Sequence, residues 1–507
     1  RAIVVNKVII FIIFLKLYKA ISIMKFLTSR NNFILFFVVL MGASIRIYNA
    51  NLENYWFDEQ ISFYVANPNF NFYETLSNSQ SLDRSPFLFN LLLKYWFKIF
   101  GYTPEIGRYF SVFLSTLSLI TLLFFSSTFR DKNTSFLILF LIAFNIFLID
   151  YSGETRSYSL VYLLSLINIF LFIKIFILKQ NNHYYKILFF LISILCLLSQ
   201  PFTILIKISE ICYLLIKDFK RKNFLLSSYF TFLVIFLLYI GIEKNYLISL
   251  ILYSPPESFI RNPELNFFFT YFFDVYFGSK VMGLVFLSIF IYLVIKNKNL
   301  FIINSLYLYL LILIFLTYLI PVSMGYIFKP SLQVKYIIFI ITPLTILISF
   351  FLFEIKNKNL KKYILIVIIF STLGNLYFEF KDRELKKPDF KKILQIDNKK
   401  FKNFGLITID TIRTNMVDVY QEDPFKEQEI LKNYVLKLKK LNKETNFYYQ
   451  DTIPKNTKHI FLICYQPVAE FKCEENIRIK NKFKIIEKYS SYQVDGYFLR
   501  RYSNLNK

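Results

Sequence analysis

Charge-poor apolar runs of membrane-crossing length set the limits on this chain. The runs 33–47, 136–149 and 300–320 carry almost no charge. They approach the ~20 residues that an α-helix needs to cross a ~30 Å hydrocarbon core. With 55% hydrophobic residues and 62 Phe among 507, the chain is too apolar for a water-soluble enzyme of its size. A transmembrane barrel would show ten-residue segments of alternating polarity instead. The expected fold class is therefore a polytopic α-helical membrane protein with about eleven spans, at 33–49, 108–127, 134–150, 158–178, 187–200, 203–216, 224–241, 281–295, 300–320, 337–353 and 363–379.

The net charge of +26 does not point to nucleic acid. The lysines fall in short turns between apolar runs, where they act as topology signals. Lys25 and Arg30, then Arg130 and Lys132, Lys179 and Lys186, Lys217 to Lys222, Lys296 and Lys298, and Lys356 to Lys362 mark one side. The opposite turns are poorer in cations. This puts the loop 50–107 and the tail 381–507 together outside the cytoplasm. Residues 1–32 are set aside as an N-terminal segment, with Met24-Lys25 reading as the more natural start. The span-bearing part is 33–380.

Within the loop, 86–100 is short for a span and suits an interfacial helix, as does 264–278. The tail is more polar. Its apolar stretches 404–409, 447–449, 459–464 and 497–500 read as strands, and 426–441 as an amphipathic helix. The expectation is a small α/β domain. Cys464 and Cys473 suit a disulfide if that tail is exported, with free thiols the alternative. Cys196 and Cys212 read as small core residues.

Four places carry candidate chemistry, all in turns of the outer side. Tyr55-Trp56-Phe57-Asp58-Glu59-Gln60 sets two adjacent carboxylates directly after the first apolar run. Acids at a bilayer are costly and usually functional. Asp58 suits a base that takes a proton from an attacking hydroxyl or amine. The pair also suits a divalent metal, or simple capping of a helix beginning near Gln60. Tyr151-Ser152-Gly153-Glu154-Thr155-Arg156-Ser157-Tyr158 places Glu154 two residues from Arg156, a bidentate phosphate ligand by chemistry. A local ion pair between them is the plain alternative. Leu82-Asp83-Arg84-Ser85-Pro86 offers Arg84 for a phosphate or a lipid headgroup. Gln333-Val334-Lys335-Tyr336 offers Lys335 for a phosphate or for snorkelling to the interface. No phosphate-binding glycine loop and no Cys/His metal spacing is present, so no cofactor is assigned beyond a possible divalent metal.

In order and spacing these places resemble the GT-C fold membrane glycosyltransferases, the dolichyl-phosphate-mannose protein mannosyltransferase and aminoarabinose transferase-like family. The matching segments are WFDEQISFYVA at 56–66, RSPFLFNLLLKYWFKIFG at 84–101, EIGRYFSVFLSTLSLITLLF at 105–124, YSGETRSYSLVYLLSL at 151–166, QVKYIIFIITPL at 333–344 and KKPDFKKIL at 386–394. The resemblance implies an inverting enzyme that uses a polyprenyl-phosphate-sugar donor within a membrane of lipid. The acceptor would be a protein, a lipid or a polysaccharide. Asp58 and Glu154 would be catalytic. Glu59, Arg84, Arg156, Lys335 and Tyr336 would bind substrate, with Arg156 and Lys335 neutralising the departing lipid phosphate. It also implies a bacterial inner membrane with the site on the extracytoplasmic side. Two departures stand out: Arg84-Ser85-Pro86-Phe87 replaces a Pro-Pro pair with a nearby His, and Lys335-Tyr336 replaces an Arg-Tyr. A transporter or flippase of a lipid-linked substrate is the competing class. Such proteins show paired halves with charges at mid-membrane, whereas here the charges gather on one face.

Overall fold

The computed structural model describes residues 30–83, 85–125, 132–218, 280–296, 305–327, 332–381, 387–395, 405–410, 426–438, 453–465 and 481–502, with single positions at 237, 240, 241, 276 and 383. The expected span 224–241, the interfacial segment 264–278, the strand 447–449 and Arg84 lie outside these residues or are touched only at isolated positions.

The membrane part is built from α1 (Arg30–Ala50), α5 (Pro104–Phe125), α6 (Lys132–Ala143), α7 (Ile146–Ser152), α8 (Tyr158–Phe172), α9 (His183–Ser199), α10 (Ile204–Asp218), α11 (Lys280–Lys296), α12 (Ser305–Ile327), α13 (Ile341–Glu354) and α14 (Lys358–Lys381). Between α1 and α5 lie α2 (Phe57–Val65), α3 (Phe72–Asn78) and α4 (Leu88–Phe100). Among the described residues, six helices are long and apolar enough to cross a bilayer, and a seventh span is bent. This is a multi-pass membrane protein. Helices are the workable solution because a spanning backbone must satisfy its own hydrogen bonds.

Depth in the bundle follows side-chain chemistry. The segment Val334–Glu354 is 83% buried, whereas Lys358–Lys381 is 17% buried and turns Tyr363, Phe370, Tyr377 and Phe378 outward. The first is a central helix and the second a lipid-facing one. The segment 187–200 appears as α9. A single turn, Pro201–Thr203, joins it to α10.

The expected straight span 134–150 is corrected: α6 and α7 meet at an angle of 52°. The break strands the last carbonyls of α6. Arg46 on α1 answers them, donating to the carbonyls of Ile142 (3.1 Å) and Ala143 (2.7 Å), to Gly42 O (2.9 Å) and to Ser115 Oγ (2.8 Å). Asn145 then caps α7 by accepting the Leu148 N–H. A fully buried arginine thus holds a broken helix whose apolar sequence shows no break. A second buried cluster lies in α8–α10, where Lys207 reaches Glu210 and Asn168, each at 2.7 Å, and Asn168 donates to Ser193.

The tail forms a sheet with α15 (Phe390–Gln395), β1 (Gly405–Asp410), α16 (Lys426–Leu438), β2 (His459–Tyr465), β3 (Phe483–Ser491) and β4 (Val494–Arg501). Strand order is β1-β2-β4-β3, with β1 parallel to β2 and the other pairs antiparallel. Ile460, Leu462, Cys464, Phe483, Tyr497 and Leu499 form its core. Cys464 is disulfide-bonded; Cys473, its expected partner, lies outside the described residues. Sequence reading missed β3 because Lys484, Glu487 and Lys488 break its apolar pattern and a bulge falls between Ile485 and Glu487. A Cβ at Gly496 would come within 2.9 Å of Ile393 on α15 and closer still to the Phe461 ring, so glycine allows helix and sheet to meet there.

The sheet domain is joined to the membrane part by α16, which packs on α2. The Tyr55 N–H donates to the Tyr434 hydroxyl (2.9 Å), Tyr64 donates to Glu429 (2.9 Å), and Asn433 donates to Tyr102 (2.6 Å).

Candidate active site

The two acids of the first loop take opposite directions. Trp56 is extended and α2 begins at Phe57, so Asp58 and Glu59 fall in its first turn. Successive residues of a helix point ~100° apart. Glu59 turns inward and is fully buried, and Asp58 keeps 35% of its side chain exposed.

Glu59 is saturated by protein. Arg108 reaches it with two nitrogens (3.2 and 3.3 Å), Lys387 with Nζ at 3.1 Å, and the Thr155 N–H at 2.9 Å. Its other oxygen also accepts the Trp56 N–H at 3.3 Å, which caps α2. Burial pushes its carboxyl upward, but the charges of Arg108 and Lys387 and the Thr155 N–H outweigh this and hold it below the ordinary carboxylate range. The capping reading therefore describes Glu59 well. Arg108 fastens the same turn by donating to the carbonyls of Ala50 (2.9 Å), Glu53 and Asn54 (2.7 Å), and it lies over the Tyr55 ring.

The turn 152–157 closes onto α2. Thr155 is tied to Glu59 and to the Tyr55 hydroxyl, which in turn donates to Pro104 O at 2.6 Å. Gly107 makes room for this: a Cβ there would strike the Tyr55 hydroxyl and come within 3.1 Å of the Thr155 methyl.

Glu154 and Arg156 do not pair with each other, contrary to the plain alternative. Glu154 Oε1 meets Lys387 at 3.0 Å, while its buried Oε2 has no hydrogen-bond partner among the described residues. Burial drives the Glu154 carboxyl up and Lys387 draws it down. Glu59 pushes it up again, so it stays above its ordinary value despite Lys335. Arg156 pairs with Asp83 and donates to Ser62 Oγ (2.8 Å) and to the Asp58 carbonyl (3.2 Å). Asp83 is fixed in turn by Ser85 (2.7 Å) and Asn90 (2.8 Å). Arg84, one residue on, lies outside the described residues.

Lys335 lies in the first turn of the short helix Val334–Ile340, which leads into α13. Its ammonium stands 4.6 Å from the Trp56 ring, 5.7 Å from Tyr158 and 5.9 Å from Tyr336, and 3.9 Å from Asp58 Oδ2. Tyr336 packs against Phe202 at 5.3 Å. The structure thus gathers Asp58, Glu59, Glu154, Arg156, Lys335 and Tyr336 from three distant segments at one end of the bundle. Among the described residues no group of three or more His, Cys, Asp or Glu is placed to hold a metal.

Sequence reasoning missed Arg108, Asp83, Lys387 and Arg383 as site-building residues. Arg383 reaches Asn49, Glu53 (3.8 Å) and Asp150 (3.5 Å). A signal existed for Arg108, an arginine near the mouth of an otherwise apolar helix. Lys387 had none beyond its place in KKPDFKKIL, one lysine among many.

No family model and no curated protein matches the chain. Solved structures do. ArnT from Cupriavidus metallidurans in the apo state aligns with a TM-score of 0.56 at 9% identity, over 93% of this chain and 98% of that one. ArnT from the same organism bound to undecaprenyl phosphate aligns at 0.53 and 9% identity, with the same coverage. The archaeal oligosaccharyltransferase AglB from Archaeoglobus fulgidus, in complex with an inhibitory peptide and a dolichol-phosphate, aligns at 0.50 and 10% identity over 93% of this chain and 74% of that one. These alignments, with the apolar bundle and the small sheet beyond it, show that the chain has the GT-C fold.

Proposed function

We propose that the chain is an inverting glycosyltransferase that moves a sugar from a polyprenyl-phosphate carrier to an acceptor at the outer face of a bacterial inner membrane. One observation carries this reading: the half-exposed carboxylate of Asp58 lies beside the Lys335 ammonium, on a turn locked to Thr155 and Arg156. A lipid-phosphate donor cannot leave the bilayer, so its anomeric carbon is presented at the interface. An acid is needed there for the acceptor and a cation for the phosphate. The bound lipid phosphates named for the ArnT and AglB structures support the donor class.

In this reading Asp58 takes the proton from the acceptor hydroxyl or amine. The acceptor's lone pair attacks the anomeric carbon as the bond to the phosphate oxygen breaks. The bonding electrons leave on the polyprenyl phosphate, whose charge Lys335 meets at the Trp56–Tyr158–Tyr336 wall. Arg156 orients the α2 turn through Asp58 O and adds positive potential. One displacement inverts the anomeric centre and leaves no sugar on the protein. Tyr336 lines the donor side, and Arg84 is assigned to the same phosphate on resemblance alone.

The test is mass analysis of surface glycans in cells with and without the protein, followed by transfer in proteoliposomes loaded with the host's extracted polyprenyl-phosphate sugars. Transfer that depends on the protein supports the reading. Flux of the carrier across sealed vesicles without transfer overturns it in favour of a flippase.

A further inference from the structure

The residues described above leave one cation unexplained. Lys387 lies beyond α14, on the segment that leads into the sheet domain, and it is 14% exposed. Its ammonium bridges Glu59 at 3.1 Å and Glu154 at 3.0 Å. The segment is pinned on both sides of it. Arg383 holds Asn49, Glu53 and Asp150 before it, and Asp389 accepts from Asn54 (3.0 Å) and Ser491 (3.2 Å) after it. Arg383 thus anchors the chain to α1, the first loop and α7, and Asp389 anchors it to the first loop and the sheet, with Lys387 directed inward beside Asp389.

We propose that Lys387 is a positioning residue of the transfer site. By bridging Glu59 and Glu154 it keeps Glu154 an anion and leaves that residue's second oxygen to accept a hydrogen bond from a hydroxyl of bound substrate. The inference rests on the transferase reading for its purpose, but not for its physics. Removing an ammonium that two carboxylates share raises the proton affinity of whichever carboxylate is less well compensated by other charges. Glu59 retains Arg108, so the proton falls on Glu154. The Oε2 of Glu154 is buried and has no hydrogen-bond partner among the described residues. An ionised oxygen in that state is worth holding only if something else donates to it.

The groups facing Glu154 are Lys387, Glu59 on α2, Lys335 before α13, and Tyr151 and Tyr158 on the flanking helices; Arg108 faces Lys387. Burial alone lowers the Lys387 ammonium, yet the two carboxylates more than restore its charge.

The experiment is carboxyl-region infrared titration of the full chain in nanodiscs, which needs no sugar donor. The Glu154 band is assigned by its loss in Glu154→Gln. In Lys387→Met the Glu154 midpoint rises by about one pH unit or more, a tenfold gain in proton affinity. In Lys387→Arg it stays near wild type. If the methionine variant fails to insert, Lys387→Gln, which retains a neutral donor, gives the same upward shift. An unmoved midpoint in either folded neutral variant overturns the proposal, since Lys387 would then be a tether and no more. Where turnover is measurable, the acid limb of the rate profile moves with the infrared midpoint, and Lys387→Arg restores it. If instead Asp58→Asn keeps full transfer while the infrared shift persists, the transferase assignment of Asp58 fails and the role of Lys387 as electrostatic keeper of Glu154 survives.

Discussion

The Lys335 ammonium stands 3.9 Å from Asp58 Oδ2, close enough to attract and too far for a tight hydrogen-bonded pair. Asp58 is therefore held near a cation without being consumed by it. Every other acid of the site is tied closely: Glu59 to Arg108 and Lys387, Glu154 to Lys387, Asp83 to Arg156. This singles out Asp58 as the carboxylate free to take a proton. Asp58→Asn is expected to insert and fold normally, because its side chain is half-exposed and its nearest ion-pair partner among the described residues, Lys335, is 3.9 Å away. It is expected to lose transfer by two to four orders of magnitude, the range for removing a general base. Initial rates on the host's extracted polyprenyl-phosphate sugars, beside a melting curve in detergent, check both parts. Transfer within tenfold of wild type would remove Asp58 from the mechanism.

Lys335 has a different task, and its variants separate charge from shape. It sits against three aromatic rings, a wall that accepts an arginine plane as readily as an ammonium. Lys335→Arg is expected to stay within about tenfold of wild type. Lys335→Met keeps the packing and deletes the charge. It is expected to weaken binding of undecaprenyl phosphate and to slow departure of the phosphate, with kcat falling more than KM rises, since the charge on the leaving oxygen is greatest in the transition state. Titration of undecaprenyl phosphate into nanodisc-embedded protein, followed by steady-state kinetics, distinguishes the two variants.

Arg108 is a structural arginine at the root of the site. It is buried, it donates to three carbonyls at the end of α1 and start of the loop, and it neutralises Glu59. Replacing it by Met strands a buried carboxylate and three carbonyls. Breaking a buried pair from one side costs roughly 3–5 kcal/mol. Arg108→Met is expected to melt well below wild type and to be poorly recovered from membranes. The double variant Arg108→Met with Glu59→Gln is expected to regain part of the loss, because it removes the uncompensated charge. Equal damage in single and double variants would mean that the carbonyl contacts, and not the ion pair, dominate.

How much of this was legible in the sequence differs by feature. Long spans are legible because twenty apolar residues have few other stable homes. Of the eleven expected, six stand among the described residues as full-length helices and 134–150 as a bent one, while α9 falls short of spanning length. Asp58, Glu154 and Lys335 were found because charges at a membrane face are conspicuous. The division of labour between Asp58 and Glu59 was not legible: adjacency along the chain says nothing about which of two neighbours a helix turns inward. The pairing of Glu154 with Lys387, and not Arg156, depends on a contact across 233 positions. The bend at Asn145 was hidden because α6 and α7 are both apolar, and its support comes from Arg46, about a hundred residues earlier. Local pattern shows elements; long-range ion pairs are visible only in the folded chain.

Glu154 gives a pH signature with a sign opposite to that of Glu59. Burial leaves the Glu154 carboxyl above its ordinary value of 4.5 in the folded chain. The native state therefore binds that proton more tightly than the unfolded state. Its contribution to stability is present in full below the unfolded value and is lost as pH rises through the folded one. Glu59, held below its ordinary value, contributes stability above the unfolded value and loses it as pH falls. Glu154→Gln removes the first trend alone. Its melting temperature is expected to decline less than wild type as pH rises above the ordinary carboxylate value of 4.5. Glu59→Gln, by contrast, flattens the acid side. Detergent-phase melting across pH checks the signs, and a steeper neutral-side decline in Glu154→Gln would contradict the buried, raised carboxyl.

Arg46 provides the last test, because it separates a fold-building charge from the chemistry. Arg46 is 1% exposed and lies within the membrane part, where two of its four hydrogen bonds go to the carbonyls at the broken end of α6 and the others to Gly42 and Ser115. The carbonyls of Ile142 and Ala143 have no helical partner beyond the bend, and unsatisfied backbone groups in hydrocarbon cost several kcal/mol each. Arg46→Met is expected to destabilise the protein strongly. It also lets α6 and α7 straighten toward the continuous helix that their apolar sequence favours. The turn 152–157 follows α7 directly, so straightening draws Thr155 away from Glu59 and Tyr55. Transfer is then expected to fall together with stability, although the hydrogen bonds of Arg46 go to Gly42, Ser115, Ile142 and Ala143 and to none of the site residues. Accessibility of a cysteine placed at Ser157 to a polar thiol reagent, compared in wild-type and Arg46→Met backgrounds, reads the turn directly. Unchanged labelling in a folded Arg46→Met protein would show that the bend is set by Asn145 and the neighbouring packing, with Arg46 only filling the space they leave.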